Sequence, residues 1–218
     1  KKCHIGLAFD GDADRCLAID ENGAILDGDK LIAIFARDMR DKGTLKKNTA
    51  VVTVMTNIGF KKFAAENDIE VAETGVGDRY VLENMLANDF SIGGEQSGHI
   101  IFKKYATTGD GQLSGLQFAA AMARTGKTAS QLASVMRSYP QVLINVTVKG
   151  NAKELLNTDE DIKSAIKNAQ EKLGDSGRIL VRASGTEPLI RVMLEGEDIV
   201  FINDIAQNVA NVVKEKSK

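Results

Sequence analysis

Three aspartates alternate at Asp10, Asp12 and Asp14, and Arg15 closes the run. Carboxylates at that spacing repel one another unless a cation neutralises them. A curved loop can turn all three inward, giving a hard oxygen site suited to Mg²⁺ or Ca²⁺. A calcium EF-hand fails: its sixth position requires Gly and is Arg15 here, and strands rather than helices are expected on both sides. An arginine beside three aspartates also points to a bound anion, such as a phosphate bridging to the metal. Mg²⁺ is the expected ion, and a solvated acidic turn is the bland alternative.

Three further loops carry similar chemistry. In Gly93-Gly-Glu-Gln-Ser-Gly-His99, the side chains of Glu95, Gln96, Ser97 and His99 offer donors and acceptors at close range. That is equipment for reading hydroxyl or amino groups on a sugar, or else simply a polar turn. In Arg182-Ala-Ser-Gly-Thr-Glu-Pro188, Ser184, Gly185 and Thr186 can present hydroxyls and successive backbone N–H groups to one oxyanion. Arg182 and Arg191 flank that turn as a phosphate cup; the competing reading is a hairpin with incidental arginines. The fourth loop, Thr74-Gly-Val-Gly-Asp-Arg-Tyr80, joins a strand to a helix with two glycines that permit close backbone approach.

The elements that must position these loops follow from apolar periodicity. Strands are expected at 5–9 and 16–19, with a turn at Asn22-Gly23. Helices at 29–40, 60–66, 79–87, 112–124 and 128–137 alternate with strands at 50–55, 69–73, 90–92 and 100–103. This is an α/β domain with a mixed, mostly parallel sheet. Beyond Pro140 the character changes. A half-buried strand at 142–148, a helix at 159–173, strands at 178–183 and 189–195 and a helix at 199–214 predict a small α+β domain of order β-α-β-β-α.

Composition narrows the class. The 218 residues are 43% hydrophobic and 27% charged, with formal net charge −2, which is globular and too acidic for phosphate-driven nucleic-acid binding. No apolar run approaches a membrane span and no secretory signal is evident. Two cysteines, Cys3 and Cys16, cannot frame a disulfide fold, so a cytoplasmic setting is expected. The chain opens Lys-Lys-Cys-His, without Met and already near a strand, and a fragment of a longer protein is expected.

The four loops, in this order, resemble the α-D-phosphohexomutases, and within them the amino-sugar branch, the bacterial phosphoglucosamine mutases. The likeness covers essentially the whole chain. It implies that residues 1–24 are the C-terminal remnant of domain two with the metal loop, 25–138 domain three with the sugar-recognition loop, and 139–218 domain four with the phosphate-binding loop. By resemblance Asp10, Asp12 and Asp14 bind Mg²⁺, and Arg15 positions the transferring phosphoryl group. Glu95 and Ser97 contact ring hydroxyls, and His99 is near the reacting end. Arg182, Ser184, Gly185, Thr186 and Arg191 grip the non-reacting phosphate. Gln96 favours the amino-sugar branch over phosphomannomutases and phosphoglucomutases, which commonly carry Met or Glu there. Gly75 stands where Lys is expected.

The implied reaction interconverts glucosamine 6-phosphate and glucosamine 1-phosphate through a phosphoserine and a bisphosphate intermediate. The family's phosphoserine lies in a Ser-His-Asn-type loop, and no serine here is followed by His. The chain alone is therefore expected to be inactive. Its expected partners are a phosphosugar and the missing N-terminal domains, with a homodimer left open by exposed strand edges and neither nucleic acid nor membrane involved. The alternatives are a mutase acting on mannose or glucose phosphates, or a non-catalytic phosphosugar-binding module.

Overall fold

A computed structural model describes residues 3–185 and 187–217. The chain divides into two compact units, 1–138 and 139–218.

The first unit begins with β1 (Gly6–Phe9), β2 (Cys16–Ile19) and β3 (Ile25–Leu26), an antiparallel sheet in that order. The predicted metal loop is the β1–β2 connection. These strands lie inside the first unit, where β2 packs on helices α1 (Gly28–Asp41) and α4 (Gly111–Thr125). The remaining elements are β4 (Thr49–Thr53), α2 (Ile58–Glu66), β5 (Glu70–Thr74), α3 (Asp78–Asn88), β6 (Ile92–Gly94), β7 (Ile100–Phe102) and α5 (Ala129–Ala133). The sheet order is β5-β4-β6-β7; β4 is parallel to both neighbours and β7 antiparallel to β6.

All five residues of β4 are buried, because alternate side chains face different layers. Ala50 and Val52 join the core under α1, α2 and α4, while Val51 meets Val81 and Met85 of α3 on the other face. The helix expected at 128–137 stops at Ala133. Tertiary contacts override its propensity: the Lys30 ammonium donates to Met136 O at 2.9 Å, and Met136 is buried. Thr128 caps α5 as expected, in a reciprocal box with Gln131.

The second unit holds β8 (Gln141–Thr147), α6 (Ala152–Thr158), α7 (Glu160–Leu173), β9 (Gly177–Ala183), β10 (Leu189–Gly196) and α8 (Ile199–Lys216). Its sheet is antiparallel in the order β8-β10-β9. Ile162, Ala169 and Leu173 of α7, and Ile202, Ala206, Val209 and Val213 of α8, bury against Val146, Ile190, Val192 and Leu194. The expected β-α-β-β-α order gains one helix, α6, which Asn151 caps by accepting from the backbone N–H groups of Lys153 and Glu154. Among the described residues no helix is long and apolar enough to cross a membrane.

Two polar ties fix these units. In the second, Arg178 Nε lies 2.7 Å from Oε2 of Glu195, which is fully buried. Arg178→Met, leaving that carboxylate without its cation, should destabilise the second unit by about 3–5 kcal/mol, seen as faster hydrogen exchange across β8–β10. In the first, the Ser130 hydroxyl and backbone N–H donate to Glu21, which lowers the Glu21 pKa from 4.5 to about 2. A depressed carboxylate pKa stabilises the fold above the ordinary value and loses that contribution as pH falls through the depressed one. Glu21→Gln should therefore flatten the stability–pH curve between 4.5 and about 2 in acid titrations of the melting temperature.

Candidate functional site

The metal loop turns on Ala13, a left-handed residue at φ 59° whose N–H donates to Asp10 O at 3.2 Å. That reversal brings one carboxylate oxygen each of Asp10, Asp12 and Asp14 within 4.8 Å of one another. Arg15 Nε lies 3.6 Å from Asp10 Oδ2 and 3.7 Å from Asp14 Oδ1. Three carboxylates and one guanidinium leave two negative charges, which a divalent cation would cancel. Asp14 Oδ1 is buried without a hydrogen-bond partner among the described residues, so the donor set fits a hard cation. The N-terminus of α4 adjoins the loop through Gly111 N–H to Ala13 O at 2.9 Å, and its dipole favours negative charge there.

The predicted sugar loop is the tight turn between β6 and β7, closed by Glu95 N–H to His99 O and Gly98 N–H to Glu95 O, both 3.0 Å. It is docked by backbone. Cys16 N–H donates to Gly98 O at 3.1 Å, and Arg15 and His99 form an isolated antiparallel bridge. Gly28 N–H, at the start of α1, donates to Gln96 O at 2.9 Å. These approaches exclude side chains: a Cβ would lie 2.0 Å from Glu95 O at Gly28, 2.4 Å from Cys16 O at Gly98 and 2.4 Å from Arg15 O at Gly111.

The side chains of this turn divide by direction. His99 is 2% exposed; its Nε2 accepts from Gly109 N–H at 3.1 Å and lies 3.6 Å from Asp14 Oδ2. A ring nitrogen accepting from an amide carries no proton, so the proton belongs on Nδ1, which has no partner among the described residues. His99 thus sits behind the metal loop. Glu95 Oε1 accepts from Gly77 N–H at 3.0 Å, bringing the Thr74–Tyr80 loop beside the turn. Gln96 Nε2 donates to Asp27 Oδ2 at 3.3 Å, while Asp27 Oδ1 caps α1 through Lys30 N–H. Ser97 is exposed.

In the second unit, Arg182 and Arg191 stand directly opposite each other on β9 and β10. Burial, then the charge of Arg191, lowers the Arg182 pKa. Arg191 Nη2 pairs with Glu187 at 3.2 Å, whereas its Nε is buried without a hydrogen-bond partner among the described residues. Facing like charges destabilise a strand pair, and an anion between them would reverse the sign. The expected run of backbone donors is shortened: Ser184 N–H already donates to Leu189 O at 2.9 Å, leaving the Ser184 hydroxyl. Gly185 is exposed with no described atom within 4 Å of where a Cβ would stand. Thr186 lies outside the described residues.

Sequence reading missed Gly109-Asp-Gly111 and Asp27-Gly28, which hold the site from behind. Their signal was available, since both place an Asp cap beside Gly at the start of a helix. Gly98 combines φ 92° with a carbonyl contact. Gly98→Ala should therefore cost about 2–4 kcal/mol in urea denaturation. Gly185→Ala should stay within about 0.5 kcal/mol in the same assay.

Residues 27–139 match the family model "Phosphoglucomutase/phosphomannomutase, alpha/beta/alpha domain III", and residues 143–212 match "Phosphoglucomutase/phosphomannomutase, C-terminal domain". Phosphoglucosamine mutase of Clostridium botulinum (strain Kyoto / Type A2) is 53% identical over 216 residues, covering 99% of this chain and 48% of that protein. Its counterpart in Caldanaerobacter subterraneus subsp. tengcongensis is 54% identical over 215 residues, with the same shares. Aspergillus fumigatus N-acetylphosphoglucosamine mutase, solved in complex with GlcNAc-6P and magnesium, superposes with TM-score 0.79 at 24% identity over 97% of this chain and 49% of that one. A phosphoglucomutase/phosphomannomutase family protein from Burkholderia thailandensis gives TM-score 0.81 at 19% identity, covering 100% of this chain and 48% of that one. These structures show the same fold, and the chain spans about half the length of the curated relatives it matches. With both family domains matched in succession, the chain belongs to the phosphoglucomutase/phosphomannomutase family.

Proposed function

We propose that the chain is the substrate-binding C-terminal half of a phosphoglucosamine mutase, interconverting glucosamine 6-phosphate and glucosamine 1-phosphate. The observation that carries this reading is its 53% identity, over 99% of its length, to proteins of that activity. Residues 1–24 are then the end of a preceding domain, and 25–138 and 139–218 the third and fourth domains. The N-terminal half supplies the phosphoserine. Cys3 and Cys16 are free thiols, which suits a cytoplasmic enzyme.

Asp10, Asp12 and Asp14 would hold Mg²⁺, which when bound supplies positive charge to a phosphoryl group. Arg15, half-exposed beside Asp10 and Asp14, orients that group from the protein side. Ser97 and the Glu95 oxygen not bonded to Gly77 are the groups of the turn that read the sugar. His99, buried against Asp14, holds the loop in place. Arg182, Arg191 and the Ser184 hydroxyl grip a phosphate, with Gly185 and Thr186 closing the same loop. Phosphoryl transfer asks for positioning and charge neutralisation, and these residues provide both.

Calorimetric titration in the presence of Mg²⁺ tests the reading. Glucosamine 6-phosphate should bind at least about tenfold more tightly than mannose 6-phosphate, and Arg182→Ala should weaken it about tenfold or more, the loss of one charged hydrogen-bonding partner. Equal binding of the two sugars would overturn the substrate assignment. Turnover by the 218-residue chain alone would overturn the placing of the nucleophile outside it.

A further inference from the structure

Helix α1 has 14 residues and so spans about 21 Å. Its N-terminus holds the Glu95–His99 turn. Its other end opens on a cavity of about 680 Å³ that shares no lining residue with the candidate site. Small-molecule sites occupy roughly 300–1,000 Å³, so the cavity has the right scale.

Its floor is apolar: Phe35 and Phe102 meet edge to face with centroids 5.0 Å apart, beside Met39. At the mouth, Tyr105 is 56% exposed. The rim is cationic. Lys46 and Lys103 converge on Asp89, whose pKa they hold down at about 2. Lys42 pairs with Asp38, which Arg124 also reaches from outside the lining. Lys104 Nζ lies 5.3 Å from the Tyr105 ring centroid and has no ion-pair partner among the described residues. Four lysines, Lys42, Lys46, Lys103 and Lys104, and one carboxylate, Asp38, therefore line the cavity, an excess of positive charge in a chain whose formal net charge is −2. Charge concentrated against the balance of the whole molecule is the signature of an anion site.

We propose that this cavity binds a nucleoside monophosphate, with the base on Tyr105 and the apolar floor and the phosphate between Lys42 and Lys104. A flat base covers an exposed ring and an apolar floor more fully than a hydroxylated sugar ring does, and a phosphate takes ammonium donors. The site would be a second one, at the opposite end of α1 from the metal loop.

Calorimetry and NMR titration of the 218-residue chain with AMP test it, with adenosine and inorganic phosphate as part-probes. AMP should saturate in the sub-millimolar range, and each part-probe should bind at least about tenfold more weakly. The Lys42→Ala/Lys104→Ala double variant should weaken AMP about tenfold or more at an unchanged melting temperature, and Tyr105→Ala, at an exposed position, should do so independently of the lysines. Asp12→Asn and Arg182→Ala should leave AMP binding unchanged. Absence of saturable AMP binding, phosphate binding as tightly as AMP, insensitivity to Tyr105→Ala, or loss in Arg182→Ala would each overturn the proposal.

Discussion

The candidate site of the first unit depends on three places where backbone touches backbone. The carbonyls of Glu95, Cys16 and Arg15 come so close to Gly28, Gly98 and Gly111 that a single methyl group at any of them would overlap an oxygen. Each contact is closed by an amide hydrogen bond of 2.9–3.1 Å between segments far apart in sequence. Backbone carries no rotamer freedom, so loops joined in this way keep their side chains in register without relying on side-chain packing. The acidic loop, the turn at Glu95–His99 and the starts of α1 and α4 are thus tied to one another through backbone. The local instability of glycine at a helix start is offset because these positions accept nothing larger.

Each unit, taken by itself, also keeps a cluster of like charges. The first gathers three carboxylates around one arginine, with the Asp14 Oδ1 atom buried and without a hydrogen-bond partner among the described residues. The second sets Arg182 against Arg191 across a strand pair. A fold selected for stability alone would separate such charges, since facing like charges weaken both loops and strand pairs. The two clusters have opposite sign. A cation would relieve the first and an oxyanion the second.

Much of this was legible in the sequence. The β-branched run around Val51 and Val52 marks a strand buried on both faces, and the spacing of Ile202, Ile205, Val209 and Val213 gives α8. Residue type alone singled out the acidic triplet and the two arginines, and the fold brings the members of each set together. Helix α6 stayed hidden because its seven residues carry little apolar periodicity and rely on the Asn151 cap. Helix α5 was overextended because Lys30 and the burial of Met136 redirect the chain after Ser134, and such tertiary effects leave no local signal. The Asp110 cap beside Gly111 was a visible helix start, but what Gly111 touches, the carbonyls of Ala13 and Arg15, lies almost 100 residues earlier and leaves no local signal.

Gln96 shows how a sequence signal and a structural role can differ. By resemblance its identity leans toward the amino-sugar branch over relatives with Met or Glu, and the expectation that follows is a residue that touches the sugar. The side chain instead donates to Asp27, the residue that caps α1. A Met there would leave Asp27 without that donor, and a Glu would set one carboxylate against another. The substitution therefore changes how the turn is tied to the helix. Gly28 already fixes the backbone of that junction, so the adjustment falls on the turn itself and on its neighbouring side chains, Ser97 and Glu95. Position 96 thereby sets how the turn is held against α1, and the Gln96 amide is spent on that tie.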